Sequence, residues 1–313
     1  MKNLVLGMLA MAAMVSCSSE NDPINEIDNG KDPIAISFGQ NIEIYTKAPI
    51  TDATLPVNSK IGLWATEYMS SSEWKAENKC DNKQLNVTAS GIAFEGGDIY
   101  YSKVPNTKYD FYAYTPFAEE ATNGLSVNAA TAGSAPTIGI TLKADPSSQI
   151  DLMYATPLTG KTAQTEAYEL AFNHALAQVK FTIKKEAGVT LGSLTAISVS
   201  TKSKSSMSLS DGSFAAANTE IAMTPLTSDD TPITLGEAAV DAGDPIMVFP
   251  EAGVIASVAF TIDGETYSFV PSNVTLTKNK ITTIDVTITA TGLTFTQKIN
   301  QWVEDSNHGT GTI

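Results

Sequence analysis

"ELAFNHALAQVKFTI", residues 169–183, can be laid out as a helix or as a strand, and the choice decides the fold. As a strand, Leu170, Phe172, His174 and Leu176 share one parity, while Val179, Phe181 and Ile183 share the other. Residues two apart line one face of a strand, so the stretch carries two apolar rows with a switch of parity near Ala177-Gln178. A β-bulge, or a strand passing between sheets, produces such a switch. A helix would send Val179 and Phe181 in widely separated directions and leave a poor apolar face. The stretch therefore reads as β, with His174 in an inward-facing row beside Phe172, where a histidine hydrogen-bonded to backbone is a structural element. The chain's other histidine, His308, lies in the polar tail "EDSNHGTGTI", too far along to suggest a metal-binding pair.

From residue 34 onward the same period recurs. "IAISFGQNIEIY" places Ile36, Phe38, Ile42 and Ile44 on one parity. "KYDFYAYTP", "PTIGITLK", "LTAISVST", "DPIMVFP" and "ITTIDVTIT" are short, rich in β-branched and aromatic residues, and bounded by Gly, Pro, Asn or Asp. In "SVAFTIDGETYSF", Asp263-Gly264 is the combination a two-residue type I′ loop prefers. That register sets Phe260 opposite Tyr267 and Val258 opposite Phe269, both pairs on one face. "SMSLSDGSF" repeats the idea at Asp211-Gly212. Helical periodicity is scarce, so the expected class is all-β, built of sandwiches. An N-terminal β-sandwich domain is expected over 34–160 and a C-terminal one over 161–313, divided within the polar "TPLTGKTAQTE", 156–166.

Composition narrows the partners. The 313 residues carry a formal charge of −15, and all nineteen basic residues are lysine. Nucleic-acid binding needs a basic stripe and favours arginine for base contacts, so no nucleic acid is expected. A polyanionic surface mainly favours solubility. Residues 1–16 read as a signal peptide, with Lys2 as its positive end and the apolar Leu4–Val15 too short to span a bilayer. Small residues lead into Cys17, as in a bacterial lipoprotein signal, although Met14 stands where leucine is usual. An ordinary secretory signal containing a cysteine is the alternative. Acylation of Cys17 would anchor the protein to a membrane without spanning it. Residues 17–33 are acidic and apolar-poor, a tether from lipid to fold. With Cys17 so used, Cys80 has no intrachain partner, and the fold must hold by burial.

Catalytic chemistry is hard to find. "ATPLTGKT", residues 155–162, approaches a phosphate-binding loop, but Ala155 replaces its first glycine and Pro157 removes an amide. "SEWK", 72–75, fits S-x-x-K without its companion motifs. Two histidines and one available thiol leave few general bases or soft ligands. A paired-carboxylate hydrolase depends on geometry that nothing in the sequence singles out. The expectation is a protein that is not an enzyme, with no catalytic residue, metal or cofactor.

A lipoprotein signal, then "ISFGQNIEIYTKAP", "YDFYAYTP", "IDLMYATP", "LAFNHALAQVKF" and a C-terminal "INQW" followed by glycines resemble the fimbrillins, the type V pilins and related fimbrial proteins. The resemblance runs in order along nearly the whole mature chain. It implies two transthyretin-like β-sandwich domains in tandem, in which the histidine motif is scaffold. It also implies export as a lipoprotein to the outer-membrane surface, with other fimbrial subunits, in a homo- or heteropolymer, as partners. A host or bacterial surface ligand is a further implied partner. In that family a protease commonly cuts after a basic residue, usually arginine, behind the first strand, and a neighbour's strand fills the groove. The matching bond here is Lys47–Ala48, so strand 34–47 would leave, carrying Ile36, Phe38, Ile42 and Ile44. Lysine in place of arginine means either that a lysine-accepting protease acts, or that the chain stays uncut and lipid-anchored.

The residues add a clue of their own. "ISFGQNI", 36–42, and "LTFTQKI", 293–299, both read apolar-x-Phe-x-Gln-x-Ile. A groove shaped for one could accept the other, with backbone pairing for affinity and alternate side chains for register; three buried apolar side chains contribute about 5–9 kcal/mol gross. Residues 293–303, with Leu293, Phe295, Ile299 and Trp302 as the contact residues, are thus the candidate donor strand. The bland alternative is that two amphipathic strands of one sandwich look alike by chance. The rival from another class is a monomeric, lipid-anchored glycan-binding protein, for which Trp74 is the loop aromatic and Trp64 looks like core.

Overall fold

The computed structural model of the protein describes residues 32–42, 54–69, 79–128, 134–271, 274–290 and 292–301. Their regular elements are β-strands, apart from one helical turn at Glu120–Asn123 and a 3-10 turn at Pro146–Ser148. They form three sheets.

In the first sheet the neighbours run Phe38–Ile42, Tyr168–His174, Met153–Ala155, Lys108–Thr115, Lys60–Tyr68, Cys80–Thr88 and Gly91–Phe94, with Leu158–Lys161 also on Lys108–Thr115. The sheet curls until its two ends approach, which brings Phe38 and Phe94 to 6.3 Å between ring centroids. One curled sheet therefore encloses the first core, which includes Ile61, Leu63, Tyr109, Phe111 and Phe172. The central strand Lys60–Tyr68 is buried on both faces: Ile61 and Leu63 point into this core, while Trp64 joins the second. Burial on both sides explains why it reads as a nearly continuous apolar run rather than an alternating one.

Two further sheets face each other across the second core. One runs Val240–Asp241, Ala177–Lys185, Lys280–Thr289 and Gly292–Gln301, with Ile246–Val248 also on Ala177–Lys185. The other runs Glu265–Phe269, Ser257–Ile262, Ser193–Ser208, Thr137–Thr141 and Leu125–Val127, with Asn218–Leu226 and Ile233–Thr234 also on the long strand. Val179, Phe181 and Ile183 from the first of these meet Val199, Val258 and Phe260 from the second. Phe181 and Phe260 close the gap edge to face at 5.8 Å.

The stretch 169–183 is where the chain changes sheets. Tyr168–His174 belongs to the first sheet and Ala177–Lys185 to the second, with Ala175 and Leu176 fully buried between them. The parity switch is thus a passage between sheets, not a bulge. His174 is the last residue before the crossing, 3% exposed. Its Nδ1 meets Asp151 Oδ2 at 2.5 Å, so a carboxylate holds the ring from one side. Sheet pairing also crosses residue 160 in both directions. Leu125–Val127 and Thr137–Thr141 pair within the sheet of Ser193–Ser208, while Tyr168–His174 returns to the sheet of Lys108–Thr115.

Candidate functional site

The first strand is seated in the first core from both sides. Ile36 N–H donates to Ile99 O at 2.8 Å, and Tyr101 N–H donates to Ile34 O at 3.0 Å. Past Ser37 the chain changes partner, and Phe38–Ile42 pairs in parallel with Tyr168–Phe172. Alternation sends Ile36 and Phe38 inward, each 4% exposed. Phe38 packs edge-on to Phe111 at 5.2 Å. Gln40 shares their parity but carries an amide, which needs partners when part-buried. It finds both on one residue: its Oε1 accepts from Leu55 N–H at 2.9 Å, and its Nε2 donates to Leu55 O at 3.2 Å. The side chain thus substitutes for a neighbouring strand.

The walls of this seat are aromatic and uncharged near neutral pH. Tyr101 and Tyr109 meet edge to face at 5.0 Å. Burial pushes the Tyr109 hydroxyl up to about 12 and raises Tyr101 for the same reason. A strand bearing apolar side chains fits such a surface without burying a charge.

The strand Gly292–Gln301 has a different standing. It forms a hairpin with Lys280–Thr289, setting Leu293 opposite Ile288, Phe295 opposite Val286, Gln297 opposite Ile284 and Ile299 opposite Thr282. It ends its sheet, so among the described residues its other edge meets no strand. Leu293 and Phe295 are partly buried against the second core, and Phe295 stacks on Phe269 at 4.4 Å. Ile299 is 44% exposed. Gln297 Oε1 accepts from Thr275 N–H at 3.1 Å, near the surface. An edge that no further strand covers, with a half-covered apolar face, is a template for pairing with another chain.

Of the remaining candidate residues, Cys17, Ile44, Lys47, Ala48, Trp74, Trp302 and His308 lie outside the described residues, as does the side chain of Ile42. Trp64 is fully buried. The loop resembling a phosphate cradle is a strand, Leu158–Lys161, and Gly160 N–H donates to Asp110 Oδ1 at 2.7 Å. No group of three or more His, Cys, Asp or Glu that could hold a metal occurs among the described residues, and no helix there is long and apolar enough to cross a membrane. Leu55 is the site residue that sequence reasoning missed. The available signal was Gln40 itself, an amide on an apolar parity.

A family model described as fimbrillin-like matches residues 46–302. A Bacteroides uniformis protein named as a candidate fimbrium subunit, Fim1C, is 25% identical over 183 residues, which cover 58% of this chain and 55% of that protein. The match thus spans about half the length of that relative. Among solved structures, a fimbrial protein from Bacteroides vulgatus aligns with a TM-score of 0.63 at 16% identity, over 85% of this chain and 99% of its own. A candidate cell adhesion protein from Bacteroides ovatus aligns with a TM-score of 0.59 at 18% identity, over 88% of this chain and 100% of its own. At these identities the structural likeness is one of fold.

Proposed function

The chain belongs to the fimbrillin-like family, and from that premise we propose that it is a non-enzymatic structural and adhesive subunit of cell-surface fimbriae, assembled by strand exchange after proteolysis. We read its two cores as the two transthyretin-like domains that the resemblance implies, joined by strands that cross residue 160. The observation that carries the proposal is the seating of the first strand. Ile36 and Phe38 fill a neutral aromatic groove, and Lys47 follows within a few residues. A cut at Lys47–Ala48 severs that strand from the fold and leaves Leu55 with the mature chain. The vacated groove then faces water with an apolar floor and unpaired backbone groups, both costly. Leu293, Phe295 and Ile299 of a neighbouring copy repeat the lost pattern from an edge strand, with Trp302 as a further anchor. A chain left uncut instead stays at the outer membrane through an acylated Cys17, as a base component.

The test is the N-terminus and intact mass of protein recovered from the cell surface. A terminus at Ala48, with ladders of high-mass polymer, is the expected result. An acylated Cys17 with the first strand retained in all of the protein would overturn the processed-subunit reading. As a second check, Phe295→Asp is expected to abolish polymer while the monomer stays folded. Intact polymer from that variant would count against the donor strand.

A further inference from the structure

We propose that Gln297 sets the register of the exchange: in the acceptor subunit its carboxamide takes over the two hydrogen bonds that Gln40 makes to Leu55. The proposal rests on the strand-exchange reading and adds the residue that fixes how the incoming strand is seated.

Leu55 is 6% exposed, and both its N–H and its C=O are paired with Gln40. When the first strand leaves, both groups lose those partners at once. A carboxamide carries a donor and an acceptor together, so a Gln at that position can restore both. Aligning the donor by its shared pattern puts Leu293 in the place of Ile36, Phe295 in that of Phe38 and Gln297 in that of Gln40. At home Gln297 accepts a hydrogen bond from Thr275 N–H, a surface group that water can serve once the strand is given away.

The alternative registers each fail at a named place. Sliding the donor by two residues one way drops Gln297 between Phe94 and Phe111, where Phe38 now sits, and buries an amide among rings. Sliding it by two the other way puts Phe295 against Leu55, whose N–H and C=O then stay unpaired. A slide of four would bring Gln301 to Leu55 but would push Gln297 into the buried place of Ile36. The chosen register meets one obstacle. Thr296 replaces Gly39, and a Cβ there would lie 2.1 Å from the Glu169 carboxylate. Glu169 is exposed, so its flexible end can swing aside.

The experiment uses the full chain with the recognition sequence of a protease that cuts nowhere else in it introduced at 47–48, since Lys298 lies in the donor strand and a lysine-specific enzyme would cut there too. The chain is cleaved, its single cut confirmed by intact mass, and left to assemble. Gly39 and Glu169 are strand partners, so the proposed register puts Thr296 of the donor beside Glu169 of the acceptor. Chains carrying Glu169→Cys are mixed with chains carrying Thr294→Cys, Thr296→Cys or Lys298→Cys and then oxidised. Disulfide geometry accepts only closely facing pairs, so the 296 variant should crosslink and the other two should not. Adding Gln297→Met, similar in length but without a hydrogen-bonding amide, should spread the crosslinks to 294 and 298 and speed polymer dissociation by about tenfold. Absence of assembly by the parent chain would overturn the exchange reading and this proposal with it. Polymer that crosslinks at 294 or 298, or a Gln297→Met polymer with unchanged crosslinks and dissociation, would overturn the register role alone.

Discussion

Tyr114 lies over Gly62, and the contact leaves no room for a side chain: a Cβ on Gly62 would sit 2.0 Å from the tyrosine ring. The ring cannot easily retreat. Its hydroxyl donates to Asn82 Oδ1 at 3.0 Å and accepts from Ala118 N–H at 2.9 Å. Gly62→Ala should therefore cost about 1–3 kcal/mol through overpacking, read as a lower urea midpoint at unchanged slope. Cys80 offers a second test at this scale. Burial pushes its thiol from an ordinary 9 up to about 12. The folded chain thus keeps a proton that the unfolded chain gives up near pH 9. Stability should be insensitive to this group below pH 9 and should fall as pH rises from about 9 to about 12. Cys80→Ala should flatten the early part of that decline, followed as denaturation midpoint against pH. An unchanged slope between about pH 9 and 10 would show that the thiol titrates normally.

At the scale of elements, the two candidate strands should respond oppositely to truncation. Phe38 is 4% exposed inside the aromatic seat, so Phe38→Ala should cost about 3–5 kcal/mol in the uncut chain. Ile299 is 44% exposed on an edge, so Ile299→Ala should change monomer stability by only about 0.5 kcal/mol. Thermal or urea unfolding of the two variants checks both, and comparable losses would mean that the terminal strand is as firmly built in as the first. What the sequence made legible here was local. The Asp263-Gly264 hairpin has the expected pairing, Val258 with Phe269 and Phe260 with Tyr267. Its two turn residues have φ of 50° and 88°, as a type I′ turn requires. The parity switch in 169–183 likewise marked a real change of sheet, because alternation is set by the pleat alone. Partner choice across the chain was not legible. Nothing in "PTIGITLK" says that Thr137–Thr141 pairs with Lys204–Ser208 rather than with a strand of the first sheet. Such pairings follow from which faces remain to be buried once the rest has folded. The Gln40–Leu55 clamp was hidden for a related reason, since it joins a strand to a loop through a side chain.

At the scale of the whole molecule, charge and groove pull in different directions. The chain carries −15 with no arginine, and cleavage after Lys47 leaves most of that charge in place. Two mature subunits therefore repel as they approach, whereas the seat itself is lined by neutral aromatics such as Phe94, Phe111 and Tyr109. Its attraction for a donor is apolar and backbone-mediated, so salt weakens the opposing force far more than the binding force. Screening lengths fall from about 30 Å at 0.01 M salt to about 3 Å at 1 M. Assembly of the cleaved chain should thus run several-fold faster in about 0.5 M sodium chloride than in about 0.02 M, the opposite of a pair steered by complementary charge. The growth of high-mass ladders on gels over time, at matched protein concentration, measures it. Slower growth in high salt would mean that lysines near the donor strand, Lys298 among them, guide it to acidic residues beside the groove such as Glu169, and that local complementarity outweighs the global charge.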